Sequence, residues 1–184
     1  MKNFKTRERV NAGSMADIAF LLLIFFLVTT VIPNDKGIPQ KLPRPCKTDD
    51  CGADLYERNI LRIHLNKENE ILVEETVISY ETLKTVVIAF LDNNGNGNCD
   101  YCNGEQSLDA SDHPSKAIIS LQSDRETSYS YYIIVLNELM TAFSDLRKKY
   151  ALNTYGKKLE SLSEKELKEV INAYPQRISE AETH

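Results

Sequence analysis

Asp17 stands at the head of the only long apolar run in the 184-residue chain, Ile18–Ile32 (IAFLLLIFFLVTTVI). A helix starting near Gly13 covers about 20 residues at roughly 1.5 Å each, or about 30 Å, the thickness of a bilayer's hydrocarbon core. An ionisable side chain in such a span is costly, and it faces a partner helix or a water path rather than lipid. Low dielectric penalises the charged form of a carboxyl, so a group of this kind can take up and release protons near neutral pH. Neutral, it turns toward apolar neighbours; ionised, it seeks a polar partner, and cycling between the two couples proton flow to helix motion. Each crossing supplies about 2.3 kcal/mol per charge per 100 mV, so a forceful pull needs several. The structural alternative is an interfacial cap, because exposed amides and the helix dipole also stabilise an aspartate near a helix start. Ser14 is as good a cap, however, and Met15 and Ala16 already continue a helix. Thr29 and Thr30, about three turns further on, offer hydroxyls either to a proton route or to their own i−4 carbonyls.

Cys46, Cys51, Cys99 and Cys102 form the second chemical set, spaced C-x4-C and C-x2-C. Structural disulfides, a four-thiolate zinc site and a redox pair at Cys99-Asp-Tyr-Cys102 all fit this spacing, disulfides being the expectation in an oxidising compartment. Four cysteines allow three connectivities, and spacing does not choose among them. Asp92-Asn93-Asn94-Gly95-Asn96-Gly97 opens like a calcium loop, but the twelfth position is Asn103 where a bidentate Glu is required, so a flexible polar loop is expected there. His64 reads as an exposed strand residue, His113 precedes Pro114 in a loop, and His184 is terminal; none belongs to a zinc-helix or nucleophile pattern. With no phosphate-binding glycine loop, Ser-His-Asp order or paired carboxylates, neither enzymatic catalysis nor a cofactor or metal is expected.

The elements that must carry these residues follow from charge and periodicity. Lys2, Lys5, Arg7 and Arg9 precede the span and favour a cytoplasmic N-terminus, which puts the large remainder and all four cysteines on the far side. A cleaved signal peptide is the alternative, but no small-x-small site follows the run and Asp17 would fall inside its apolar region. Four of the 22 basic and two of the 27 acidic residues precede residue 33, leaving 18 and 25, a net charge of −7. Nucleic acid is therefore not an expected partner. Four of the six prolines lie between Pro33 and Cys46, the mark of an extended, semi-rigid spacer. The expected organisation is a cytoplasmic segment 1–12, a transmembrane helix 13–32, a Pro-rich linker 33–58 and a periplasmic domain 59–184 with a cysteine-bearing insert 92–115.

Within that domain Leu61, Ile63 and Leu65 alternate with Arg62 and His64, and Ile71 and Val73 repeat the pattern after the turn Asn66–Asn69, predicting two antiparallel strands. From Ser79 the period changes to that of a helix, with Leu83, Val86, Val87, Phe90 and Leu91 on one stripe and a stop at Asp92–Gly95. Beyond the insert come a strand at 116–122 and a long helix from about Ser128 to Tyr150, burying Tyr132, Val135, Leu136, Leu139, Phe143 and Leu146 and ending in Arg147-Lys148-Lys149. Ser163-Glu164-Lys165-Glu166 fits a capping box for a last helix with a stripe of Leu167, Val170, Ile171 and Tyr174, closed by Pro175; 177–182 suits a final strand. The fold class is thus a single N-terminal transmembrane α-helix followed by a small α+β periplasmic domain, strand-strand-helix-strand-helix with an extra C-terminal helix and strand.

The stretch Asn11-Ala12-Gly13-Ser14-Met15-Ala16-Asp17-Ile18-Ala19-Phe20 through Thr30 resembles the transmembrane signature of the ExbD/TolR family, and the order of elements to about residue 150 is similar to that family's periplasmic domain. The resemblance implies a single-pass protein of the bacterial inner membrane that dimerises inside a pentameric ring of ExbB-like subunits. Together they turn proton flow into motion, passed to a TonB-like client that energises outer-membrane transporters. In the TolR branch the motion serves envelope integrity instead. By position Asp17 takes the place of the family's proton-carrying aspartate. Many relatives carry a proline three residues before it, where this chain has Ser14, so the helix start is capped by a hydroxyl instead of begun by a ring. Insert 92–115 and tail 153–184 exceed the minimal domain. A passive tether whose outer domain holds peptidoglycan or another envelope component is the competing function.

Overall fold

The computed structural model describes residues 12–29 and 56–182, which fall in two compact units. The first is a single helix, α1 (Ala12–Thr29), with 18 residues of mean hydropathy 2.1 and none of them buried within the protein. At about 1.5 Å per residue it is about 27 Å long, enough to cross a hydrocarbon core.

The second unit is a five-stranded mixed sheet with helices packed on one face. A 3-10 turn, Glu57–Asn59, leads into β1 (Ile60–Leu65), followed by β2 (Ile71–Val73), β3 (Thr76–Ile78), α2 (Tyr80–Leu91), β4 (Ile118–Ser123), α3 (Tyr129–Tyr155), α4 (Glu164–Ala173) and β5 (Ile178–Glu182). The strand order is β3-β2-β1-β4-β5: the β1–β2 and β2–β3 pairs are antiparallel, and β1–β4 and β4–β5 are parallel. Alternation along β1 points Leu61, Ile63 and Leu65 inward, joined by Ile71, Val73, Ile119 and Leu121 from its neighbours. Leu83, Val87, Phe90 and Leu91 of α2 and Val135, Leu136, Leu139, Phe143 and Leu146 of α3 complete this core. A parallel pair needs a crossover, and α2 with the insert supplies one and α3 with α4 the other.

Several expectations need correction. A third strand, β3, follows β2 after a two-residue turn at Glu74–Glu75, where Glu74 takes a left-handed φ of 53°. The strand expected from residue 116 begins at Ile118, because Lys116 and Ala117 close a turn onto His113 O. Helix α3 runs five residues past Tyr150 and ends where Gly156 adopts a φ of +63° and donates its N–H to Leu152 O. Arg147, Lys148 and Lys149 therefore do not sit at the negative pole: Arg147 Nε and Nη2 donate to Tyr174 O (3.0 and 2.8 Å), and Lys149 pairs with Asp92. Tyr132 is only half-buried, with its hydroxyl on Glu180 Oε1. The capping box of α4 is present, with Ser163 and Glu166 bonded in both directions, but Leu167 and Ile171 are exposed and Val170, Ala173 and Tyr174 make the inward stripe.

Candidate functional site

Asp17 lies one turn into α1 and is exposed. Helical spacing puts Gly13, Leu21, Ile24 and Val28 on its face, so the carboxylate heads a stripe that is otherwise small and apolar. Thr29 Oγ1 donates to Phe25 O at 2.8 Å, the i−4 back-bond, which commits the hydroxyl proton to its own helix. Thr30, Cys46 and Cys51 lie outside the described residues, as do the segment before Ala12 and the linker to Leu55.

In the C-terminal domain the expected flexible loop is instead closely scaffolded. Asp92, Asn93 and Asn94 are all buried, and the two asparagine side chains replace backbone pairing that a loop lacks. Asn93 Nδ2 donates to Ser107 O and Ser111 O (2.8 and 2.9 Å), while its Oδ1 accepts from Ser107 N (2.8 Å). Asn94, at a left-handed φ of 60°, brackets Cys99 by accepting from its N–H (2.9 Å) and donating to its carbonyl (3.1 Å). Gly104 N–H donates to Asp92 O at 2.8 Å, and a Cβ there would lie 2.4 Å from both Asp92 O and Asn93 Cα. With all three side chains engaged internally, the stretch does not present a calcium loop. Cys99 and Cys102 form a disulfide, so neither is free to serve as a zinc thiolate.

The insert is tied to both ends of the domain. Asp112 accepts from Asn59 Nδ2 (3.2 Å), its own N–H donates to Asn59 Oδ1 (2.8 Å), and Arg58 Nη2 lies 2.8 Å from Oδ1, paired by charge but away from the best hydrogen-bonding angle. At the other end Tyr174 OH donates to Asp92 Oδ1 (2.6 Å), and Lys149 Nζ lies 3.6 Å from Oδ2. Tyr101, between the two cysteines, donates its hydroxyl to Ala173 O (2.8 Å) and packs edge-on against Tyr150 and Tyr174 (ring centroids 5.0 and 5.5 Å). Burial, with Tyr150 and Asp92 nearby, pushes the Tyr101 hydroxyl up to about 12; burial and the Asp92 bond raise Tyr174 further. These rings, Lys149, Asp100, Asn103, Asn153 and Thr154 line a cavity of about 270 Å³.

Sequence reasoning missed this tyrosine cluster. Nine tyrosines in a chain without tryptophan are a signal, but Tyr101, Tyr150 and Tyr174 lie in three different elements. Among the described residues no three His, Cys, Asp or Glu side chains gather as a metal site.

The family model described as biopolymer transport protein ExbD/TolR matches residues 3–147, from ahead of α1 to near the end of α3. No individually curated protein matches the chain. The matched stretch takes in Asp17, all of α1 and most of the core of the C-terminal domain, more than half of the sequence, and the chain belongs to the ExbD/TolR family.

Proposed function

We propose that the protein is a subunit of a proton-driven motor in the bacterial inner membrane, with Asp17 as the proton-carrying residue. The family supports a membrane-associated role in biopolymer transport. The observation that carries the finer reading is a single carboxylate at the head of an otherwise apolar 18-residue helix inside the family-matched stretch. A lone charge there needs a counterpart, and the resemblance to the ExbD/TolR family implies that the helix finds it as one of a pair of copies inside a pentameric ExbB-like ring. The basic N-terminal residues lie in the cytoplasm and the outer domain in the periplasm, where the client is TonB-like.

Thr29 contributes at most an acceptor oxygen to a proton path, since its proton is engaged with Phe25 O; Thr30 would lie beside it in sequence. The test is Asp17→Asn in the full-length protein, co-expressed with its polytopic partner. The variant should insert and co-purify with the ring yet lose transport that depends on the proton gradient. Undiminished transport would refute the role of Asp17, and failure to co-purify with any polytopic partner would refute the motor.

A further inference from the structure

We infer that the Cys99–Cys102 disulfide is an exchange site for a dithiol, and that its opening loosens the α4–β5 tail through Tyr101. The two sulfurs differ in access: Cys99 is 5% exposed, with its N–H and carbonyl both held by Asn94, whereas Cys102 is only half-buried. An incoming thiolate therefore attacks Cys102 Sγ, the S–S bond breaks, and Cys99 Sγ leaves as a thiolate that takes a proton. The second thiol of the same dithiol then attacks the mixed disulfide and displaces Cys102, which is protonated in turn. The protein disulfide gains two electrons and the dithiol, supplied by a thioredoxin-like oxidoreductase, becomes a disulfide.

The consequence follows from what the four-residue ring holds. Its second interior residue is Tyr101, which leaves the insert to bond Ala173 O at the end of α4 and to pack on Tyr150 and Tyr174. Tyr174 and Pro175 lead toward β5, an edge strand that among the described residues pairs with β4 alone. Closed, the ring limits the backbone freedom of Tyr101 and so keeps it seated; opened, it leaves Tyr101 to hold its place without that restraint. Opening does not release the rest of the insert, because Asn93, Asn94 and Asp112 keep their own bonds. The response is therefore expected to be local to the tail. Tyr101 also forms part of the cavity wall beside Lys149 and Tyr150, so the same step widens that cavity.

The experiment is hydrogen exchange on the full-length protein in detergent, before and after treatment with millimolar dithiothreitol under native conditions. Reduction should speed amide exchange in residues 170–182 by about tenfold while the β1 and α2 amides stay unchanged. A Cys99→Ser/Cys102→Ser variant should match the reduced protein. Tyr101→Ala with the disulfide intact should show the same faster tail, and reducing that variant should add less than about twofold, since both changes act through one contact. Three results would overturn the inference: a disulfide that resists the dithiol without denaturant, faster exchange confined to residues 99–102, or faster exchange throughout the domain.

Discussion

Replacing Tyr174 with Phe removes one oxygen and leaves the ring, so it isolates the bond between Tyr174 OH and Asp92 Oδ1 at 2.6 Å. Asp92 is 4% exposed and Tyr174 3%, which leaves little room for water to replace the lost donor. A hydrogen bond to a charged group contributes about 1.5–3 kcal/mol, and an abandoned buried acceptor costs about 1–3 kcal/mol. Lys149 stays 3.6 Å from the other carboxylate oxygen, but it is half exposed and its pairing is screened by solvent, so it offsets only part of the loss. The expected destabilisation is about 2 kcal/mol. For a domain of this size that is a fall in Tm of about 8 °C, at about 4 °C per kcal/mol. Thermal unfolding of the full-length protein in detergent, followed by near-ultraviolet circular dichroism of the tyrosines, measures it. The stricter test is the cycle Tyr174→Phe, Asp92→Asn and the double variant, with an expected coupling of about 1–2 kcal/mol. A Tm fall under about 2 °C together with a coupling near zero would refute the view that this bond holds the tail to the insert.

Gly104→Ala places a methyl 2.4 Å from two backbone atoms of Asp92 and Asn93; these cannot swing aside, so urea unfolding should show a loss of about 3 kcal/mol, against about 1 kcal/mol for Gly97→Ser, whose side chain meets no atom but must hold a left-handed φ of +68°. Glu166 has its carboxyl held down at about 2, first by Lys157 and then by the Ser163 N–H and hydroxyl, against an ordinary value of 4.5. A depressed carboxylate stabilises above its unfolded value and ceases to as pH falls through the folded one, so fraying of α4 should appear as pH drops from about 4.5 toward 2, read by amide exchange in residues 164–167. Tyr101 shifts the other way, from 10.0 to about 12; its contribution is full below pH 10 and lost as pH rises through about 12, and difference absorbance should show it ionising well above the ordinary tyrosine value.

Elements with a long, regular apolar period were legible in the sequence. The span was legible from its unbroken apolar run, while α2, the buried face of α3 and the alternation of β1 each place several apolar side chains on one face, and burial follows the pattern. Strand β3 was not, because three residues, two of them exposed, carry no alternation to detect. The end of α3 was misplaced because Arg147–Lys149 resemble a terminal basic cluster, whereas all three are engaged elsewhere and Gly156 makes the stop. The insert was misread for a more general reason. A run of Asp, Asn and Gly has the composition of a solvated loop, and only the partners of Asn93 and Asn94 show that their amides act as substitute backbone. The tyrosine cluster joins residues from the insert, α3 and the end of α4, and no local pattern registers contacts over such separations.

The two attachments of the insert acquire meaning under the proposed motor role. The described part of the C-terminal domain begins at the 3-10 turn, where Asn59 is locked by two bonds to Asp112 and Arg58 pairs with the same carboxylate. These side chains precede β1, the central strand, which is bonded to β2 on one side and β4 on the other. Load on the turn is thus shared with the insert before it reaches the sheet, and from the insert it passes through Asp92 and Tyr101 to Tyr174 and the start of β5. An insert held at both chain ends by a buried carboxylate at each, with a disulfide-closed ring between them, is better suited to bearing tension along the chain than to filling space.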